Sequence, residues 1–443
     1  MASQSKNNRR TRKNVKVKGI EYHPSIRKIT VGIIIDTGFR IPPLTGVTYR
    51  LYYLSKAIQK HGHNVKIFIC NRNIFKDNDI RRHIDDSELE IHIIPEKVFY
   101  NINQMLDVIK KNNIDVVQVE DIQSAMIFSK ITTVLGIPLI TELHDIEATL
   151  KSHLHYNSKD IRKSLKYTKL ACDASDSLVC MTKFDNSELL DKIGIKKDKI
   201  TLLPNPIDTK AFPYVGPALA IKKIIFIGNM YYPPNMRAAC TIVEKISKNV
   251  LKDFKNIHFE LAGMVPKNLK SKLQNKHVKF AGAVKDLTSF LSKATIALCP
   301  VTEGSGMKVK ILNYCAAGIP IITTNLGRSG FEPIKSLIVE DNIEKYPNII
   351  KKLLTNNERI LTISKQIRRQ VMEHYDIDFI AKKVIKLYRK TLRIHQDSNK
   401  NDFNITKSKL KLLWHSEKRI KHFSNPHYYV IKNGKIFTKK KFD

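Results

Sequence analysis

Residues 299–325 read CPVTEGSGMKVKILNYCAAGIPIITTN. An apolar run, TIALCPV (295–301), describes a strand ending at Val301, a glycine-containing loop follows, and an amphipathic helix begins near Met307. A second apolar run, IPIITTN (319–325), then describes another strand. Gly304 and Gly306 let the backbone approach a ligand closely, and the N–H groups near Met307 and Lys308 face it. The pattern is that of an anion site, to which Lys308 and Lys310 add charge. Such a site sits at the carboxyl edge of the strands in a doubly wound parallel sheet.

Working outward, the same alternation recurs on both sides. KKIIFIGN (222–229) opens it, followed by a helix around 235–252, IHFELAG (257–263), a helix around 266–274, VKFAGAV (278–284) and a helix around 286–293; SLIVED (336–341) closes it. Upstream, KITVGIIIDTG (28–38) reads as a buried strand and TYRLYYLSKAIQKHG (48–62) as a helix stopped by Gly62. VKIFIC (65–70), IDVVQVE (114–120), IPLITELH (137–144), SLVCMT (177–182) and ITLLPN (200–205) follow as strands, with helices from about Ser124 and around 158–175. Strand, helix and strand joined by short connections give right-handed crossovers in parallel sheets. The fold class is therefore α/β, with two Rossmann-like doubly wound domains.

Residues 1–27 are expected to be a disordered basic tail, 28–208 the N-terminal domain and 209–221 a proline-rich linker. Residues 222–375 form the second domain, 376–395 a helix packing back on the first, and 396–443 a basic extension.

Composition narrows the function. Lys and Arg number 77 against 41 Asp and Glu, a formal charge of +36, which suits an anionic partner: nucleic acid, an anionic lipid surface or a polyphosphorylated substrate. Hydrophobic residues are 42% of the chain, yet no run approaches the ~20 apolar residues needed to cross a bilayer. The basic N-terminus has no apolar stretch behind it, so a cytoplasmic protein is expected, peripheral on the inner face of a membrane. The six cysteines contain no C-x-x-C pair and suggest neither zinc site nor disulfide framework.

The 299–325 segment resembles the donor-binding segment of the retaining glycosyltransferases of family 4 (glycosyl transferases group 1), which have the GT-B fold of two domains facing a cleft. Further landmarks fall in the family's order: Pro42-Pro43-Leu44-Thr45-Gly46, His61-Gly62-His63-Asn64-Val65, His144-Asp145 and Leu203-Pro204-Asn205-Pro206-Ile207-Asp208. In the second half come Phe226-Ile227-Gly228-Asn229, Leu261-Ala262-Gly263, Phe280-Ala281-Gly282 and Asn313-Tyr314-Cys315-Ala316-Ala317-Gly318-Ile319-Pro320. The resemblance covers roughly residues 29–395.

It implies a nucleotide-diphosphate sugar donor, a glycan or lipid-linked acceptor, retention of configuration, and neither metal nor cofactor. His144 and Lys308 would be catalytic. Gly228, Asn229, Arg237, Glu303, Gly304, Ser305, Gly306, Met307, Lys308, Lys310 and Asn313 would line the donor side, and Gly46 and Arg50, at the start of the first long helix, the acceptor side, with phosphate contact across the cleft. Asn313 stands where the family has its second glutamate. Ser305, or Glu303 with a loop two residues longer, stands for the first. Asn229 and Pro234 replace the usual Arg and Lys, leaving phosphate charge to Lys308, Lys310 or Arg237. Asp77-Asn78-Asp79 matches a metal-chelating Asp-x-Asp, a pattern that arises readily in polar loops. An epimerase of the same fold is one alternative. A nucleic-acid binder is another, disfavoured because aromatics are interleaved with the basic runs only around Phe403, Trp414, Phe423 and Tyr428.

Overall fold

The computed structural model describes residues 28–36, 46–71, 88–401, 428–432 and 435–439. Two sheets organise them. The first runs through β1 (Thr30–Ile35), β2 (Asn64–Asn71), β3 (Glu90–Pro95), β4 (Val116–Val119), β5 (Leu139–Leu143), β6 (Ser177–Cys180) and β7 (Ile200–Leu202), in spatial order 3-2-1-4-5-6-7 and all parallel. The second runs through β8 (Lys223–Ile227), β9 (His258–Ala262), β10 (Val278–Gly282), β11 (Ile296–Cys299), β12 (Ile321–Thr323) and β13 (Ile338–Val339). Its order, 10-9-8-11-12-13, repeats the first. In both, the order reverses beside the first strand, and crevices for ligands open at that switch point.

The strands are near-continuous apolar runs because helices cover both faces. In β1, Val31, Ile33, Ile34 and Ile35 are all buried, as are Ile296, Ala297, Leu298 and Cys299 in β11. Three strands escape sequence reading: β3 and the two C-terminal strands described below. In β3, Glu90 and His92 interrupt the apolar pattern, yet His92 is buried, stacks on Phe68 at 4.6 Å and shares a 3.0 Å hydrogen bond with Glu90. Asp77-Asn78-Asp79 lies outside the described residues.

The helices that matter for the site are α1 (Gly46–Lys60), α2 (Glu147–His153), α3 (Ser158–Ala174), α4 (Pro233–Thr241), α5 (Val309–Ala317), α6 (Asn357–Tyr375) and α7 (Ile377–Asn401). Helix α7 follows the second unit in sequence but packs on the first. Lys60 pairs with Asp378, Ser177 shares a 2.8 Å hydrogen bond with Thr391, and the Tyr388 hydroxyl donates to Gln118 at 2.7 Å. The C-terminal segment also returns to the first sheet. β14 (Tyr428–Lys432) pairs antiparallel with β3 and with β15 (Lys435–Lys439), extending the sheet to nine strands.

Candidate active site in the interdomain cleft

Helix α5 starts where β11 and its loop deliver it, at the switch point of the second sheet. No side chain caps its N-terminus, so the first-turn N–H groups lack that partner. The glycines before it allow contact with the first unit. Gly306 has φ +70°, and a Cβ there would lie 2.4 Å from the His144 carbonyl oxygen. Two loop amides already have partners across the cleft. Gly304 N–H donates to His153 Nδ1 at 3.1 Å, and Gly306 N–H to Asp185 Oδ1 at 3.3 Å. The N–H groups expected to face a ligand are those near Met307 and Lys308; the two glycine amides just before them instead latch the halves together. Burial pushes the Asp185 carboxyl up to about 6, against the opposing pull of Thr182, Gly306 and Lys308.

The basic residues are equally engaged. Lys308 Nζ folds back to donate to the carbonyls of Ser305 and Gly306, 2.8 Å each, and burial lowers its pKa. Lys310 Nζ donates to Asn235 Oδ1 at 2.6 Å and sits 4.3 Å above the Phe226 ring; burial pushes it down to about 8. Arg237 and Glu303 form an ion pair with each other. Met307 is buried, its thioether accepting from Asn205 N–H at 3.2 Å, and Ser305 is buried with no partner for its hydroxyl. Gly228 and Asn229 form the turn after β8, where the Asn229 carbonyl accepts from Asn235 and its side chain from Tyr231 N–H. Asn313 lies partly buried on α5. Beside it, Tyr314, a residue the motif did not single out, takes the Ile227 N–H on its hydroxyl at 2.7 Å and ties α5 to β8.

On the first unit, Gly46 begins α1 and packs against Val309, the first residue of α5; a Cβ on Gly46 would approach Val309 Cγ2 to 2.9 Å. Arg50, one turn on, does not reach the cleft. It is 1% exposed, pairs with Glu142 and donates to the Pro204 carbonyl at 2.6 Å, so its expected role in phosphate contact is corrected to one inside the first unit. There a polar network runs beneath His144. Gln118 Nε2 donates to Glu142 Oε2 at 2.7 Å and to Glu120 Oε1 at 2.8 Å, and Glu120 Oε2 meets His144 Nε2 at 2.8 Å. Burial alone would lower the His144 pKa. The hydrogen bond and charge of Glu120, with the charge of Glu142, outweigh burial and the opposing Arg50, and the result is raised. A cavity of about 350 Å3 opens over this network, lined by Asp36, Glu120, Asp121, Glu142, His144 and Asp145 among others.

Glu120, Glu142 and His144 present their ligand atoms within 4.8 Å of one another, a spacing that a metal ion can use. Each of the four carboxylate oxygens already has a hydrogen-bond partner, one of them the Arg50 guanidinium. A cation entering here would have to take the place of hydrogen bonds that these groups already make to one another and to Gln118.

Two switch-point units of the same strand order, facing each other across a cleft with a helix running back from second to first, define a GT-B fold. Comparison with known proteins agrees. Residues 44–211 match the family described as Glycosyltransferase Family 4 and residues 221–356 the family described as Glycosyl transferases group 1. The chain is a GT-B glycosyltransferase of the group 1/family 4 type. Among curated relatives it is similar to the O-antigen biosynthesis glycosyltransferase WbnH of Escherichia coli, 22% identical over 253 residues, 55% of this chain and 68% of that one. It is also similar to one of the subunits of the phosphatidylinositol N-acetylglucosaminyltransferase of Arabidopsis thaliana, 20% identical over 318 residues, 67% of each protein. Among solved structures, Anabaena HepE in complex with UDP and glucose superposes with a TM-score of 0.62 at 12% identity, over 80% of this chain and 98% of that one.

Proposed function

We propose that the protein transfers a sugar, with retention of configuration, from a nucleoside-diphosphate sugar to a hydroxyl of a glycan or lipid-linked acceptor. The observation that carries this reading is the meeting of two helix N-termini, at Gly46 and Val309, in the cleft. Each directs N–H groups and a positive dipole end to one place, which suits a diphosphate. HepE, which shares the fold, is described with UDP and glucose, and this supports the same donor class here.

The diphosphate would lie at the start of α5, with Lys308 and Lys310 leaving their present acceptors to meet it. As the bond from the anomeric carbon to the diphosphate breaks, these groups stabilise the departing charge. The acceptor oxygen bonds the anomeric carbon from the same face, and its proton passes to the leaving phosphate oxygen. The carboxylates over the first unit's cavity suit hydroxyl donors and so an acceptor sugar. His144 touches the transferred sugar. The reading routes no step through a metal, and full activity in a chelator is expected.

Among the described residues no helix is long and apolar enough to cross a membrane. The acceptor side is proposed to dock on anionic lipid through α3, whose exposed face carries Lys159, Arg162, Lys163 and Lys166.

The test is a thermal-shift panel of UDP, GDP, ADP and their sugars against wild type and Lys308→Ala. One nucleotide should raise the melting temperature by mass action, and the variant should lose the shift. No shift with any nucleotide in folded protein would overturn the donor assignment. Product analysis completes the test: nucleotide released only when an acceptor is present marks transfer, whereas interconversion without acceptor marks an epimerase.

A further inference from the structure

We propose that Tyr388, Gln118 and Glu120 form a positioning chain that sets the orientation and charge of the His144 imidazole. The proposal rests on the reading of His144 as a group that touches the transferred sugar.

The chain is fixed atom by atom. The Tyr388 hydroxyl donates to Gln118 Oε1 at 2.7 Å, which decides how the amide stands. Its NH2 group must then point the other way, and it does, bridging Glu120 and Glu142. An inverted amide would set its oxygen against two carboxylates, a repulsive arrangement in a buried site. Glu120 is left with one oxygen, and it takes His144 Nε2. All of these groups except His144 are buried, with exposures of 8% or less for Gln118, Glu120, Glu142 and Tyr388.

The charges are apportioned as well. Arg50 pairs directly with Glu142 and leaves the charge of Glu120 to His144. Groups acting on the ring are therefore Glu120 at the end of β4, Glu142 on β5, Arg50 on α1 and the adjacent Asp145. Within the hydrogen-bonded chain, two carboxylates against one guanidinium leave one negative charge, which a protonated His144 balances; Asp145, outside the chain, acts on the ring in the same direction. With Nε2 held by Glu120, the ring has only Nδ1 to offer a substrate, and the protonated ring offers it as an N–H donor to a sugar oxygen.

Tyr388 gives this arrangement a second use. It stands on α7, which leaves the second unit and crosses to the first. A side chain carried by the crossing helix thus completes the hydrogen bonding beneath the group that faces the donor.

The experiment uses the full chain, with histidine ring carbons labelled for NMR and with transfer kinetics across pH. In Glu120→Gln the His144 ring titration should fall by a unit or more. The alkaline limb of kcat should move down with it, costing about tenfold at a pH above the new limb, while KM for the donor changes less than twofold. Tyr388→Phe removes one hydroxyl and keeps the helix packing. It should shift both readouts the same way by a smaller amount, roughly threefold in kcat, and it serves if Glu120→Gln fails to fold. A ring titration and pH limb that coincide with wild type in both folded variants would overturn the proposal; for an unfolded Glu120→Gln, coincidence in Tyr388→Phe alone would do so. The ring titration is read without substrate. Wild-type protein that turns over no donor therefore defeats the transferase reading while a shifted titration still supports the chain.

Discussion

Gly46 and Val309, the first residues of α1 and α5, touch across the cleft, close enough that a Cβ on Gly46 would lie 2.9 Å from Val309 Cγ2. The neighbouring β-branched side chain has little freedom to yield, so Gly46→Ala should hold the two helix starts apart. Both residues are only partly buried, and the melting temperature should change by only about 2 °C, less than the 4–8 °C that ~1 kcal/mol produces in a small domain. Transfer depends on reacting groups placed to within about 1 Å, and kcat/KM should fall ~10- to 100-fold. Steady-state kinetics beside a melting curve check this; wild-type rates in the variant would mean that catalysis does not need this approach.

Much of this architecture was legible because parallel strands covered on both faces must be apolar throughout. KITVGIIIDTG and TIALCPV carry that signature without interruption, and the loop after the second carries its two glycines. β3 was not legible because Glu90 and His92 satisfy each other inside the sheet, which no local pattern reveals. The glycine loop before α5 is legible in the sequence, but not the state of its polar groups: Asp185 and His153 come from elements more than a hundred residues away. Arg50 was misplaced for a related reason. Position at a helix start suggested an anion ligand, whereas Glu142 on β5 and the Pro204 carbonyl hold it inward. Gln118, Glu120 and Tyr388 became a unit only once the sheet set β4 beside β5 and α7 crossed over them.

Arg50→Met tests that inward role. Removing one member of a buried ion pair leaves the other uncompensated, and the cost is about 3–5 kcal/mol. Denaturant unfolding should show a loss of that size. Glu142 already has its pKa raised, burial outweighing the Arg50 charge, and loss of the guanidinium should raise it further. The penalty should therefore shrink in acid as the carboxyl takes a proton. A loss below about 1 kcal/mol would show that the pair is solvated.

Docking through α3 gives a separate expectation. Lys159, Arg162, Lys163 and Lys166 are exposed beside Tyr156 and Tyr167, which are 51% and 38% exposed. At about 1 kcal/mol per basic residue near an anionic surface, changing all four to Gln should weaken binding to phosphatidylserine vesicles by at least about a hundredfold at low salt. Flotation reads the loss, and transfer to a soluble acceptor should stay unchanged. Equal flotation of variant and wild type would move the docking face elsewhere.

Lys310 gives a readout of donor binding that needs no turnover. Burial holds its ammonium pKa down to about 8, against the usual 10.5, in the unliganded protein. At pH 8 the group is then half protonated. A diphosphate seated at the start of α5 brings negative charge beside it and raises the pKa, so binding must take up protons, approaching half a proton per site near pH 8. The pH window distinguishes this group from a carboxyl such as Asp185: uptake by Lys310 vanishes below about pH 6.5, where it is already charged, and grows as pH rises toward 8, where uptake by a carboxyl held at about 6 has faded. Calorimetric titration of a nucleotide in two buffers of different ionisation enthalpy measures the uptake directly. Lys310→Met should abolish it and weaken binding about tenfold, the loss expected for a ~1.4 kcal/mol interaction. Binding at pH 8 with no proton uptake would place the diphosphate away from Lys310 and remove it from the donor site.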